Sequence, residues 1–190
     1  MTPPKGRSLL TDGDEAAFVG RLLSLARRTA LEEGAGALST ARLARDARAP
    51  KVTVEKRFRT RADLLAALQA DVLGEAAEAL VDALGGMSPH RPQALETLCR
   101  LWVAQWLDHP ALFRVAFPEG AAPPRTGPAD PLAPLSPYFE QGLDGAGGSA
   151  RADLLLCALH GIVLAQLGAR PDDWSEPGEL VALAVAAVRA

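Results

Sequence analysis

Apolar side chains recur every three or four residues along most of this chain, and this spacing limits the folds it can adopt. Residues three and four apart share one face of an α-helix, so the spacing predicts amphipathic helices. Two runs show it most clearly: Phe18, Leu22, Leu25, Ala26 and Thr29, and then Leu64, Leu65, Leu68, Val72, Ala76 and Leu80. Aromatic residues make up 5% of the chain. Because runs of β-branched and aromatic residues are scarce, we predict an all-α fold.

Residues that favour helix ends divide the chain into separate helices. Ser39 fits an N-cap, and Thr60 with Asp63 fits a capping box, so both mark helix starts. Gly34 and residues 85–86 suit the left-handed caps that end helices. The predicted helices cover about 14–33, 40–47, 51–58, 61–84, 92–107, 110–117, 137–143, 150–168 and 177–188.

The chain is long enough for one or two domains with a real core. We expect a flexible leader over residues 1–13, an N-terminal domain over 14–60 and a C-terminal domain over 61–190. Residues 118–137 contain seven prolines. Since proline is excluded from helix interiors, this composition predicts a mobile loop over 118–136.

Positive charge is concentrated in one short segment. Residues 39–61 hold eight basic and two acidic side chains, whereas the whole chain holds 20 basic and 23 acidic ones. Residues 62–190 hold seven basic and 16 acidic side chains. A solvated helix face is one explanation of such a run. The other is a surface for a polyanion, because Lys and Arg gain affinity by displacing counterions from phosphates.

The same segment has the pattern of a helix-turn-helix. Two short predicted helices, 40–47 and 51–58, are joined by the tight connection 48–50. Small apolar residues lie on the inner faces of both helices: Leu43, Ala44, Ala47, Val54 and Phe58. Basic and hydroxyl residues fall on the outer faces, where the second helix would enter a major groove. This pattern favours DNA over a general polyanion.

Residues 14–73 resemble the DNA-binding region of the TetR/AcrR family of bacterial transcriptional repressors. The matching stretches are E-E-G at 32–34, S-T at 39–40, R-L-A-R-D-A at 42–47 and T-V-E-K-R-F-R-T-R-A-D-L at 53–64. The resemblance implies DNA contacts by Thr40, Arg42, Arg48, Lys51, Thr53, Glu55, Lys56, Arg57 and Arg61. Four positions depart from the family pattern, since Arg48 replaces a turn glycine, Pro50 a common Ser, Val52 a following Gly and Glu55 a phosphate-binding Tyr.

The C-terminal part resembles the family in a weaker way. W-L-D-H-P-A-L-F-R-V-A-F at 106–117 and L-H-G-I at 159–162 are similar to the WHG-type C-terminal subclass. The resemblance implies a C-terminal domain that binds a small molecule and forms a homodimer on a near-palindromic operator. The predicted ligand pocket is formed by Met87, Leu98, Trp102, Trp106, Phe113, Phe117 and His160. Plain core packing is the alternative for these residues, and the effector itself stays unknown.

The last two predicted helices are apolar on more than one face, so we expect a partner subunit to cover one of those faces. The predicted dimer interface comprises Leu154, Leu155, Ala158, Ile162, Ala165, Leu180, Leu183, Ala184 and Ala187. Cys99 and Cys157 are predicted to be buried free thiols. We find no uncharged apolar stretch of membrane length and no signal peptide, so we expect a cytoplasmic protein with no membrane partner.

The sequence offers little support for catalysis. His90, His109 and His160 are far apart, and no His-x-x-x-His, Cys-x-x-Cys or Gly-rich phosphate loop occurs. We therefore predict no enzyme, no cofactor and no metal. Two alternatives to a ligand-responsive repressor remain. One is a TetR-like protein with altered or lost DNA binding that acts through protein partners, and the other is a small α-helical enzyme.

Overall fold

A computed structural model describes residues 12–118, 130–143, 148–168 and 173–190. All regular secondary structure in these ranges is helical, which confirms the predicted all-α fold. The α-helices are α1 (Asp12–Glu33), α2 (Thr40–Asp46), α3 (Lys51–Glu55), α4 (Arg61–Ala83), α5 (Ala94–Asp108), α6 (Pro110–Ala116), α7 (Ser136–Gly142), α8 (Gly148–Gln166) and α9 (Pro177–Arg189). Short 3-10 helices cover Ala35–Ala37 and Ala133–Leu135.

The helix bounds lie within two residues of the predictions, except at the end of α3. Helix α1 begins at Asp12, before the end of the predicted leader, while residues 1–11 lie outside the described part. Helix α3 ends at Glu55 instead of Phe58. The N–H groups of Arg57 and Phe58 both donate to the carbonyl of Val54, at 2.9 Å each. This shared acceptor tightens the chain into a turn just before the next helix starts.

The predicted caps at both helix starts are formed. The Ser39 hydroxyl accepts a hydrogen bond of 3.1 Å from the N–H of Arg42. The N–H of Thr60 donates to the Asp63 carboxylate at 2.9 Å, and the N–H of Asp63 donates back to the Thr60 hydroxyl at 3.1 Å. Each such cap contributes about 1 kcal/mol to stability. These bonds fix where α2 and α4 begin, and they therefore set the length of the segment between them.

The described residues form two compact units that divide between Leu68 and Gln69, inside α4. The predicted domain boundary, after residue 60, lies at the start of the same helix. The first unit contains α1, α2, α3 and the first turns of α4. Its core consists of apolar side chains from all four helices: Leu22, Ala26, Leu43, Ala44, Val54, Phe58, Leu64 and Leu68.

The second unit is built around α5, which packs against α6, α7, α8 and α9. Because α5 has neighbours on several sides, it buries a broad face that includes Leu95, Leu98, Cys99, Trp102, Val103 and Trp106. The predicted loop over 118–136 falls mostly on residues 119–129, which lie outside the described part. Its last residues form the 3-10 helix Ala133–Leu135 and the start of α7.

Side-chain hydrogen bonds to distant backbone groups join the ends of helices in this unit. The Arg189 guanidinium donates to the carbonyls of Gly142, at 3.3 Å, and Pro92, at 2.9 Å. The Tyr138 hydroxyl donates to the carbonyl of Met87 at 3.1 Å. Carbonyls at helix ends have no partner within their own helix. The Arg189 bonds therefore hold the C-terminal end of α9 against the end of α7 and the segment that leads into α5.

Helix α8 departs from one prediction. Cys157 is exposed in the single chain, so the prediction of two buried thiols is wrong for this residue. The helix also has the length and mean hydropathy, 1.4, of a membrane-crossing segment, a test that core helices of soluble proteins also pass. Here α8 packs against α5 and α9. Its apolar character therefore has a partial explanation in packing within the unit.

Candidate nucleic-acid interface and ligand pocket

Helix α3 has a clearly divided surface. Val54 on α3 and Phe58 in the turn after it are buried, and they fix this segment to the core of the first unit. Lys51, Val52 and Lys56 are exposed. Since residues four apart share a helix face, Val52 and Lys56 lie together on the side that faces away from the buried pair. This outward face is available to a partner.

The turn before α3 contains an unusual backbone conformation. Arg48 has φ of 50°, in the left-handed region that L-residues other than glycine rarely adopt. The N–H of Ala49 donates to the carbonyl of Ala44 at 2.9 Å, which satisfies a carbonyl at the end of α2. A left-handed residue here redirects the chain from α2 into α3. A glycine would adopt this conformation without strain, whereas Arg48 adopts it at a conformational cost.

Arg42 lies between two carboxylates. Its guanidinium donates to the Glu33 carboxylate in a bidentate pair, with Nη1 at 2.7 Å from Oε2 and Nη2 in contact with Oε1. Its Nε lies 3.3 Å from Oδ2 of Asp46. The hydrogen bond from Arg42 lowers the pKa of Glu33, and Glu33 in turn raises the pKa of Arg42. The predicted phosphate contact of Arg42 therefore competes with two carboxylates within the protein.

Three other predicted DNA contacts, Lys51, Glu55 and Arg57, form ion pairs within the first unit. The Lys51 ammonium lies 3.2 Å from the Glu55 carboxylate, and the Arg57 guanidinium lies 2.6 Å from Glu15. Exposed ion pairs of this kind contribute about 0–1 kcal/mol, so a phosphate can replace the carboxylate at little cost.

Arg61 is held in a different way. Its Nε donates to the carbonyl of Leu38 at 2.9 Å, and one Nη donates to that of Ala35 at 2.8 Å. Arg61 thus joins the start of α4 to the 3-10 helix after α1. Two neutral predicted contacts, Thr40 and Thr53, are half-buried. The predicted DNA contacts stay predictions, but the structure gives Arg61 a positioning task within the unit.

The cations with the greatest freedom surround the turn and the end of α3. Within the described residues, no carboxylate lies within ion-pair distance of Arg48, Lys56 or Arg59. Arg45 has a side chain that is 76% exposed and lies 3.6 Å from Asp46. Arg45 and Arg59 were not among the predicted DNA contacts. Both residues belong to the basic segment 39–61, so the sequence indicated that they could contact a polyanion. It did not show which charges of the segment are already paired with a carboxylate.

In the second unit, five of the seven predicted pocket residues form one aromatic cluster, namely Trp102, Trp106, Phe113, Phe117 and His160. Their ring centroids lie 5.7 Å apart for Trp102 and Trp106, and 5.4 Å apart for Trp106 and Phe117. His160 lies 5.0 Å from Phe113 and 4.6 Å from Phe117. Most pairs are edge-to-face, which is the favoured geometry for aromatic rings.

The other two predicted pocket residues have separate surroundings. Leu98 is buried on α5, one turn before Trp102, and Met87 lies in the connection after α4, where its carbonyl binds Tyr138. A role for these seven residues in binding a ligand stays a prediction.

Two polar atoms in this aromatic cluster are buried without a partner. Among the described residues, nothing accepts a hydrogen bond from Nε1 of Trp106 or pairs with Nε2 of His160. Burial also lowers the pKa of His160, so its imidazole stays neutral near pH 7. An unpaired buried polar group costs about 1–3 kcal/mol. A small molecule with a hydrogen-bonding group would remove part of this cost.

An open cavity of about 360 Å³ lies elsewhere in the second unit, beside α7 and the first half of α8. Its lining includes apolar Leu132, Phe139 and Leu156 and the carboxylates of Asp130 and Glu140. None of the seven predicted pocket residues lines it. No group of His, Cys, Asp and Glu in the part of the chain that the structure describes could hold a metal ion.

The predicted dimer residues divide into two sets. Leu154 and Leu183 are exposed, at 59% and 67%, although both are large and apolar. Leu155 and Ile162 are buried within the chain, so they belong to the side of α8 that packs into the second unit. The remaining ones, Ala158, Ala165, Leu180, Ala184 and Ala187, are partly or fully exposed. The exposed members leave apolar side chains uncovered on both α8 and α9.

Comparison with known proteins finds solved structures of similar fold. No family model matches the sequence, and no curated protein matches it. A protein of unknown function from Rhodococcus sp. RHA1 aligns with a TM-score of 0.61 and 21% identity, over 90% of this chain and 93% of its own. SCO4313, whose assignment as a regulatory protein is provisional, aligns with a TM-score of 0.62 and 19% identity, over 94% and 98%.

A third solved structure is the fatty acid degradation regulator FadR from Bacillus halodurans. It aligns with a TM-score of 0.57 and 14% identity, over 90% of this chain and 98% of its own. At these identities the likeness shows a shared all-helical fold. It confirms the combination of a helix-turn-helix with a helical C-terminal part.

Proposed function

We propose that this protein is a DNA-binding transcriptional regulator of the TetR type. The observation that carries the proposal is the division of α3 and the turn after it into a buried side, with Val54 and Phe58, and an outward face with Val52 and Lys56. Such a helix is held firmly by the unit and presents side chains to a groove. Arg48 and Arg59 extend the positive surface on either side, where the strands of a duplex would lie.

Three further observations support this proposal. The basic segment belongs to a chain with a net charge of −3, so its charge is local and not a general property. The solved structures of similar fold include one named a fatty acid degradation regulator. The paired cations Arg42, Lys51 and Arg57 fit the proposal as well, because each can exchange an exposed carboxylate for a phosphate when DNA binds.

We propose that the protein acts as a homodimer on a near-palindromic operator. The exposed Leu154 and Leu183 would be covered by the same surface of a second copy, as a two-fold interface requires. A two-fold dimer presents two copies of α3, and their separation selects half-sites spaced by about one helical turn of DNA.

For the effector we propose a small, mainly apolar molecule that carries a hydrogen-bond acceptor. The aromatic cluster supplies the apolar surroundings, and the unpaired indole N–H of Trp106 supplies the donor. Binding of the effector would favour a state with lower operator affinity, as in a repressor that releases DNA. A protein with this task works in the cytoplasm, next to the chromosome of a bacterium.

The proposal is tested by selecting bound DNA from a random pool with the full chain, and repeating the selection with candidate effectors. We expect enrichment of one near-palindromic sequence and its loss when the effector is present. If no palindrome is enriched, the alternative gains support, namely a protein of this fold that acts through protein partners. That alternative rests on the ion pairs that occupy Arg42, Lys51 and Arg57.

A further inference from the structure

Val52 is the most exposed large apolar side chain in the described part of the first unit, at 61%. Single exposed apolar residues are common on protein surfaces. The position of Val52 makes its exposure notable. It is the second residue of α3, in the first turn after the N-cap Pro50. Its neighbour Val54 is fully buried, so the helix cannot turn to hide both side chains.

The surroundings of Val52 are polar and charged. Lys56 follows one turn later on the same outward face. Lys51 and Glu55 form an ion pair of 3.2 Å along one flank, and the half-buried Thr53 lies toward the other. Val52 is thus the apolar centre of a surface whose edges suit phosphates and polar base edges. A partner that buries this surface must offer one small apolar group among charged and polar ones.

A thymine in the major groove meets this requirement. Of the groups that base pairs present there, the C5-methyl of thymine is the apolar one, while the other positions offer hydrogen-bond donors and acceptors. Valine has no donor or acceptor in its side chain, so it gains nothing from guanine, cytosine or adenine edges. Against a thymine methyl, its two methyl groups remove apolar surface from water.

We propose that Val52 is a specificity-determining residue that contacts the C5-methyl group of one thymine in each half-site. This inference rests on the proposed function, since it assigns a base to the helix that is proposed to enter the groove. It predicts that the operator contains a thymine at the same position of both half-sites. It also predicts that the methyl group itself contributes to affinity, apart from the hydrogen bonds of that base pair.

The experiment replaces each thymine of the selected operator, one at a time, by deoxyuridine, which lacks the methyl group and keeps every hydrogen-bonding group. Kd is measured for the unaltered chain and for Val52→Ala. At one thymine per half-site, we expect deoxyuridine to weaken binding by the unaltered chain about threefold to fivefold. Val52→Ala should bind both operators equally well.

Leu31→Ala is the matched control, because it removes another exposed apolar side chain of the first unit, on α1. It should keep full sensitivity to deoxyuridine. Thermal unfolding of both variants confirms that they are folded. The inference is overturned if no thymine position is sensitive, or if Val52→Ala keeps the sensitivity. Failure of the proposed function gives a different result, since no operator would then emerge from the selection at all.

Discussion

Glu33 and Arg42 form a bidentate ion pair that joins the last residue of α1 to α2. The pair engages a side chain that the family resemblance predicts to contact DNA, so under the proposed function a phosphate would compete with Glu33 for the same guanidinium. Breaking the ion pair costs little free energy, because the pair is exposed and therefore weak. The ion pair holds Arg42 in one place, so under the proposed function DNA would have to displace a carboxylate to contact it.

We expect Glu33→Gln to strengthen DNA binding. Loss of the carboxylate frees Arg42 for a phosphate, so affinity should rise by up to about fivefold per half-site, with one more counterion released. Glu32→Gln is the matched control, because it removes an exposed charge of the same kind beside the pair. Titrations at several salt concentrations separate the two variants. Equal effects would mean that general charge, and not the pair, limits Arg42.

Arg48→Gly should stabilise the protein or leave its stability unchanged. Left-handed backbone costs an L-residue about 1–2 kcal/mol, and the larger entropy of glycine in the unfolded chain offsets about half of this gain. Arg45→Gly, in the preceding helix, should instead destabilise by about 1 kcal/mol. Urea unfolding measures both. A loss of stability in Arg48→Gly would contradict the left-handed conformation.

The stability of the second unit should depend on pH through His160. Burial lowers its pKa below the ordinary 6.5, so the unfolded chain binds a proton in a range where the folded chain does not. The contribution of neutral His160 to the free energy of unfolding should therefore be fully present above about pH 6.5. It should decrease as the pH falls from there toward the lowered pKa. Melting curves at several pH values should show a weaker dependence for His160→Leu. The exposed His90 supplies the control, since His90→Gln should retain the dependence of the original chain.

Leu183→Glu should convert the proposed dimer to folded monomers. The substitution would place a charge on each side of the proposed two-fold interface and remove two leucines that the interface would bury, so the dimer Kd should rise at least about 100-fold. Analytical ultracentrifugation measures the change. Leu31→Glu, which alters an exposed leucine of the first unit, should remain dimeric. A dimer that survives Leu183→Glu would place the interface elsewhere.

Local signals in the sequence predicted the helices well. Ser39, Thr60 and Asp63 act through bonds that span three residues, so their cap roles follow from spacing alone. The bond between Glu33 and Arg42 spans nine residues, and those from Arg61 to the carbonyls of Leu38 and Ala35 span more than twenty. Such contacts depend on how α1, α2 and α4 pack, which spacing does not show.

The candidate sites were predictable to a lesser degree. Aromatic residues one turn apart indicated that Trp102 and Trp106 share a face, and family resemblance brought Phe113 and His160 to the same cluster. The exposure of Cys157 was not predictable, because α8 is apolar on nearly all sides and its sequence does not show which side meets α5. Pairing of the cations was also hidden, since a count of charges does not reveal which ones face a carboxylate.

The central claim is that the free cations around α3 contact DNA phosphates, and the salt dependence of binding tests it most directly. For Lys56→Gln with Arg59→Gln, we predict a shallower slope of log K against log[salt]. The size of this negative slope should decrease by about two per half-site. Arg91→Gln with Arg114→Gln, which removes two exposed cations of the second unit, should leave the slope unchanged. An unchanged slope in the first pair, or an equal decrease in both, would contradict the claim.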